Sequence, residues 1–179
     1  MQELSLNVLD VSQNSVAAGA SLIEITQKYE DNPPVLVLTV QDNGSGMTPI
    51  QAARVLDPFY TTRSTRKVGL GIPFFKMAAE MTGGSFALES QKGVGTRICA
   101  VFHTNHIDCM PVGDMRSTIV SLIQCNPDID FVYRLISPKG QFEADTRQFR
   151  KILEGIPLNS PQVISFIKDF IEENSSELL

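Results

Sequence analysis

The sequence predicts an α+β fold, either one compact domain or a domain of about 100 residues with a small appendage. Three observations carry that prediction. Apolar residues at helical spacing open the chain, β-rich runs follow in pairs, and glycine or proline breaks part each run from the next.

Leu6, Leu9 and Val16, with Val8 and Val11, give one broad apolar face, so residues 5–18 read as a helix with Gly19 placed at its C-terminal turn. Runs 21–29 and 35–42 read as an antiparallel strand pair. They are joined by residues 30–34, whose two prolines and two acids suit a connection better than a ladder. Thr48 and Pro49 form the N-cap and first turn of a short helix to about residue 56. Gly69-Leu70-Gly71 opens an apolar helix through residue 81, and Gly83-Gly84 closes it. Residues 85–90 and 96–103 then read as strands around Gly93-Val94-Gly95, which completes the order α, β, β, α, α, β, β.

Past His103 the character changes. Residues 105–113 read as a linker, and Asp114 caps a helix to residue 124 with Met115, Ile119, Leu122 and Ile123 on its apolar side. Runs 131–136 and 141–144 form a hairpin around 137–140, and 146–153 and 161–173 read as helices, the last with Ser160 as N-cap. The chain thus divides into residues 1–104 and a small α/β extension, 105–179, packed on the first or independent of it.

With 42% hydrophobic and 20% charged residues the composition is that of an ordinary globular protein. A net charge of −5 argues against a broad face for nucleic acid. No basic segment followed by an apolar run opens the chain, and no stretch reaches the roughly 18 apolar residues of a membrane span. The expectation is a cytoplasmic protein with neither nucleic acid nor membrane as partner. Cys99, Cys109 and Cys125 form no C-x-x-C pair, so they read as reduced thiols.

Asp10 and Asn14 lie four apart on the first helix, with Asn7 one turn earlier on the same polar stripe. Asp42-Asn43-Gly44-Ser45-Gly46-Met47 ends a strand with an acid and follows it with alternate glycines. Such a segment offers a carboxylate for the amino group of a base, and backbone free of Cβ for close approach of a flat ring. Gly69-Leu70-Gly71 stands at a helix N-terminus, where open N–H groups suit a phosphate, and Thr61 to Lys67 before it adds hydroxyls and three cations.

In this order the segments resemble the GHKL superfamily, over about residues 4–103. Leu9 to Ser15 with Ala18-Gly19-Ala20 is similar to the N box, especially in its mismatch-repair form, and Asp42 to Met47 to the first glycine box. Asp57-Pro58-Phe59-Tyr60-Thr61-Thr62-Arg63 resembles the F box of histidine kinases, Gly69-Leu70-Gly71-Ile72 the second glycine box, and Gly83-Gly84 through Gly93-Val94-Gly95-Thr96 the last kinase box.

The resemblance implies a two-layer α/β sandwich of the Bergerat type: a mixed, mainly antiparallel sheet with helices on one face. It implies ATP and Mg²⁺ as cofactors and a partner protein to act upon. Asn14 would hold Mg²⁺, Asp42 the adenine amino group, and Gly44, Gly46 and Met47 the base and ribose, with Thr96 supporting Asp42. Gly69, Leu70 and Gly71 would meet the phosphates with Thr62, and charge compensation would come from Arg63, Arg66 or Lys67. Phe59 would pack beneath a lid.

Three departures limit the activity. Asp10 stands where ATP-hydrolysing relatives carry Glu as general base, about 1.5 Å shorter in reach, and a misplacement near 1 Å costs on the order of 10²-fold in rate. Ala17 replaces a phosphate-binding Lys of histidine kinases, and the interval from Phe59 to Gly69 is short for a kinase lid. His103 and His106, the two histidines, lack the amphipathic helix of a phosphoacceptor, so a self-contained autophosphorylating kinase is not expected. A regulatory kinase module, a nucleotide-driven switch and a slow ATPase of mismatch-repair or chaperone type remain as readings.

Overall fold

The computed structural model describes residues 3–57 and 70–179. Six strands form one mixed sheet in the order β3-β4-β2-β1-β5-β6. Helix α1 (Leu4–Ala17) precedes the hairpin of β1 (Leu22–Asp31) and β2 (Pro34–Asp42), and the short helix α2 (Pro49–Arg54) follows. Helix α3 (Gly71–Met81) leads into the second hairpin, β3 (Ser85–Gln91) and β4 (Gly95–His103). Helix α4 (Met115–Cys125), strands β5 (Asp130–Ser137) and β6 (Gly140–Asp145), and helices α5 (Thr146–Leu153) and α6 (Pro161–Ser175) complete the chain.

The expected seven-element order is present, with sharper turns than the composition suggests. Strand β1 runs to Asp31 and pairs there with Pro34, so the connection shrinks to Asn32-Pro33. Proline is tolerated at that position because it opens a strand and its carbonyl still accepts, here from Thr104 N at 3.1 Å. Thr48 caps α2 with a reciprocal box: Gln51 N–H donates to the Thr48 hydroxyl, and Thr48 N–H donates to Gln51 Oε1. Ser160 sits at the N-cap of α6 but makes no cap bond, because its hydroxyl donates to Pro157 O at 2.9 Å instead.

Strand alternation sorts the sheet into two faces. Ile23 and Ile25 of β1, Leu36, Leu38 and Val40 of β2, and Ile98, Ala100 and Phe102 of β4 are buried in one continuous core with α1, α3, α4 and α6. On the other face Glu24, Gln41, Arg97 and Glu89 fall in register across four strands, leaving a charged row. Asp42 pairs with Ile23, and Thr96 with Asp42, so both side chains belong to the helix-covered face.

Residues 105–179 extend the same sheet, since β5 runs parallel to β1 from Leu22↔Asp130 to Lys28↔Ile136. The polar atoms buried at this junction are satisfied. The Tyr133 hydroxyl donates to Gln27 Oε1 at 2.8 Å, and Gln27 Nε2 donates to the Tyr29 hydroxyl at 2.7 Å. Burial lifts the Tyr133 phenol above its ordinary range.

Candidate functional site

Between α1, the segment after β2, α2 and the start of α3 lies a cleft of about 290 Å³. Val11, Val55, Ile72 and Ile98 supply apolar walls, and Asn14, Ser15, Asp42 and Thr96 the polar groups. A few placed polar groups among apolar walls suit a flat, partly polar ligand. A larger hollow of about 520 Å³ at the strand ends takes in Glu24, Gln41, Glu89 and Arg97 as well as Leu22 and Val94, and shares Asp42 and Thr96 with the cleft.

Asp42 is the best-supported group in the cleft. Its Oδ1 accepts from Gly44 N at 2.9 Å and Thr96 N at 3.3 Å, and its Oδ2 accepts from the Ser15 hydroxyl at 2.6 Å. These donors come from three chain segments and fix the carboxylate before any ligand arrives. Asn43 serves the fold instead, since its Oδ1 takes Ser21 N and Leu22 N, each at 2.9 Å, and so ties the loop to the start of β1.

The glycines are required by the protein's own backbone more than by close approach of a ring. At Gly46, where φ is +59°, a Cβ would stand 1.9 Å from Gln91 O; at Gly44 it would stand 2.9 Å from the Ala18 methyl. The loop is also stitched on both sides, by Ser45 N to Ala18 O at 2.9 Å and Gly93 N to Ser45 O at 2.7 Å. Gly46→Ala is therefore expected to lower unfolding free energy by about 1–3 kcal/mol in urea titrations, through left-handed strain and displacement of the β3–β4 turn.

Of the residues singled out from sequence, Asn14, Asp42, Gly46, Met47 and Thr96 line the cleft. Gly44 lies behind Asp42 and donates to it. Asp10, one turn before Asn14, packs on the start of α3: a Cβ added to Gly71 would meet Asp10 Cβ at 3.1 Å. Leu70 is the N-cap of α3 and has no side-chain oxygen to satisfy the first-turn N–H groups. Phe59, Thr62, Arg63, Lys67 and Gly69 lie outside the described residues.

Asn7, on the sequence stripe of Asp10 and Asn14, does not join them. It is 1% exposed, and neither amide atom finds a hydrogen-bond partner among the described residues. It lines a separate cavity with Phe74, Met77, Met81 and Met110. Two contributors escape a reading of the sequence: Ser15, which holds Asp42, and Ser90, which accepts from Met47 N at 2.8 Å. Ser15 neighbours Asn14 on α1, whereas Ser90 reaches the loop only through strand register.

The sequence profile of the histidine kinase-, DNA gyrase B- and HSP90-like ATPases matches residues 1–106, well over half of the chain. The chain belongs to this family. Within the GHKL family it is 31% identical over 101 residues to the sensor protein SrrB of Staphylococcus aureus, an alignment covering 54% of this chain and 17% of that protein. The N-terminal domain of a DNA repair protein shares the fold, with a TM-score of 0.55 at 18% identity over 81% of this chain and 52% of that one. That superposition takes in more of the chain than the profile does. The Aquifex aeolicus MutL ATPase domain complexed with ADP aligns more loosely, with a TM-score of 0.47 at 15% identity over 86% of this chain and 70% of that one. As a member of that family the chain is a histidine kinase-like domain for which ATP binding is implied. No helix among the described residues is long and apolar enough to cross a membrane.

Proposed function

We propose that the cleft binds ATP with Mg²⁺ and that the domain serves as a regulatory, histidine kinase-like module acting on a partner protein. The observation that carries this reading is the Asp42 carboxylate, held by three donors in an apolar-walled cleft beside Asn14 and Thr96. Asp42 would receive the adenine amino group, and Met47 and Ile98 would flank the ring. The open first turn of α3 at Leu70-Gly71, together with Thr62, Arg63, Lys67 and Gly69, would face the phosphates.

Asn14, which lines the cleft, would hold Mg²⁺ through its amide oxygen, with water and phosphate supplying the other ligands of this hard ion. When bound, the ion would offset phosphate charge. The test is calorimetric titration of ATP with and without Mg²⁺, followed by incubation with labelled ATP and candidate partners. Binding with transfer to a partner supports the reading, and absence of adenine nucleotide binding overturns it.

A nucleotide-driven switch is the second reading, favoured by α4 packing directly on α1. Leu4 N donates to Pro111 O at 3.0 Å and Ser5 N to Val112 O at 2.8 Å, so the helix bearing Asp10 and Asn14 is coupled to the C-terminal region. Partner affinity that is equal with and without ATP would sink it.

Asp10 separates both readings from a slow ATPase. If Asp10 is the base, Asp10→Asn should lower steady-state turnover about 10²-fold while ADP affinity stays within about twofold. Turnover unchanged by that substitution assigns Asp10 instead to the N-terminal turn of α3, where a negative charge is favourable.

A further inference from the structure

Asn7 carries a polar group that the fold leaves unused. Its side chain is 1% exposed, and neither amide atom has a hydrogen-bond partner among the described residues, although buried polar groups are nearly always paired. The cavity it lines has a volume of about 190 Å³ and is walled by Phe74, Met77, Ala78 and Met81 of α3 and by Asp108 and Met110 of the segment before α4. This cavity shares no residue with the cleft around Asp42.

We propose that this cavity is a second binding site, for a small flat molecule that presents a carboxamide or lactam edge to Asn7. An asparagine amide sets an acceptor, Oδ1, beside a donor, Nδ2. A carboxamide or lactam answers both at once, its N–H donating to Oδ1 and its carbonyl accepting from Nδ2, whereas a ketone or an amine answers only one. A carboxylate brings acceptors alone and meets the like charge of Asp108. The walls decide the rest of the molecule, because thioether groups pack well on an aromatic ring and three of the lining residues are methionines. An apolar cavity of about 150 Å³ takes up benzene, so this one has room for a single six-membered ring and its amide. Asn7 is sealed until a wall yields. Met77 and Met81 are 50% and 52% exposed, and their unbranched side chains can swing aside to admit the molecule.

The experiment follows the methionine methyl groups of the full chain by NMR while benzamide is titrated. Acetophenone is the comparison, since it keeps the ring and the carbonyl and replaces the amide NH₂ by a methyl group. Benzamide should shift the Met77, Met81 and Met110 signals and leave Met47, in the other cleft, unmoved. It should bind about tenfold more tightly than acetophenone, the worth of one hydrogen bond. Asn7→Leu, similar in volume and without a polar atom, should reduce that preference to under about threefold. Shifts confined to Met47, or at no methionine, overturn the assignment. Equal affinity of wild type for the two probes overturns it as well, because it leaves an apolar hollow that does not read an amide, and so does a preference for benzamide that survives in Asn7→Leu. If Asn7→Leu does not fold, the two probes on wild type still decide. None of these outcomes depends on whether the chain binds ADP.

Discussion

Asp42→Asn is expected to weaken ADP binding about 100-fold or more, with little change in melting temperature. The carboxylate accepts from Ser15, Gly44 N and Thr96 N, and an asparagine oxygen can still take most of those bonds, so the fold keeps its local support. Toward the base the consequence is larger. Replacing one oxygen by an amide NH₂ sets donor against the adenine amino donor. A hydrogen bond to a charged group is lost, worth about 1.5–3 kcal/mol, and a desolvated donor is left unpaired, at about 1–3 kcal/mol more. A loss of 100-fold corresponds to about 2.7 kcal/mol, the low end of that sum. The same change should raise affinity for inosine diphosphate relative to ADP, since its 6-oxo group accepts from the new amide. Calorimetry with both nucleotides and a thermal melt checks it. ADP affinity within threefold of wild type would place the base elsewhere.

Asp42 is legible in the sequence because its signal is local: an acid at a strand end followed by alternate glycines. The partners that fix it are not. Ser15 reaches it across 27 residues and Ser90 reaches Met47 across 43; the first contact exists only once α1 packs on the sheet, the second only once β2, β3 and β4 are in register. The glycines stand out in the sequence for a reason that the structure revises. Their pattern suggests close approach of a ring, yet the missing Cβ of Gly46 makes room for Gln91 O. Asn7 shows a limit of helical-wheel reasoning. One stripe of α1 carries Asn7, Asp10 and Asn14, but α1 packs against both α3 and α4, which buries its first turns and leaves Asn14 at the cleft. Alternation in runs 131–136 and 141–144 announces strands without naming their partner. Parallel pairing with β1 depends on a crossover of about 100 residues that no local pattern encodes.

The second large effect is expected at Phe75, which is fully buried on α3. Its ring meets Phe102 at 5.8 Å and Phe86 edge-on at 6.3 Å, so it ties α3 to both strands of the second hairpin. Phe75→Ala removes that anchor and leaves a cavity under the helix, a change worth about 3–5 kcal/mol. For a chain of this size the melting temperature should fall by roughly 6–20 °C, at about 2–4 °C per kcal/mol. Met77, half exposed on the same helix, is the control, and Met77→Ala should stay within about 0.5–1 kcal/mol of wild type. Stability and ligand binding meet here because α3 begins at Gly71, against Asp10, four residues before the anchor. A helix loosened at Phe75 no longer holds its first-turn N–H groups in place for phosphate. The stabilisation produced by saturating ADP, about 2.7 kcal/mol at 100 times Kd for an intact site, and the thermal shift it causes should therefore be smaller in Phe75→Ala than in wild type. Urea titration gives the stability loss, and calorimetric scans with and without ADP give the coupling. An undiminished ADP shift in a destabilised Phe75→Ala protein would separate the core under α3 from the phosphate end of the cleft.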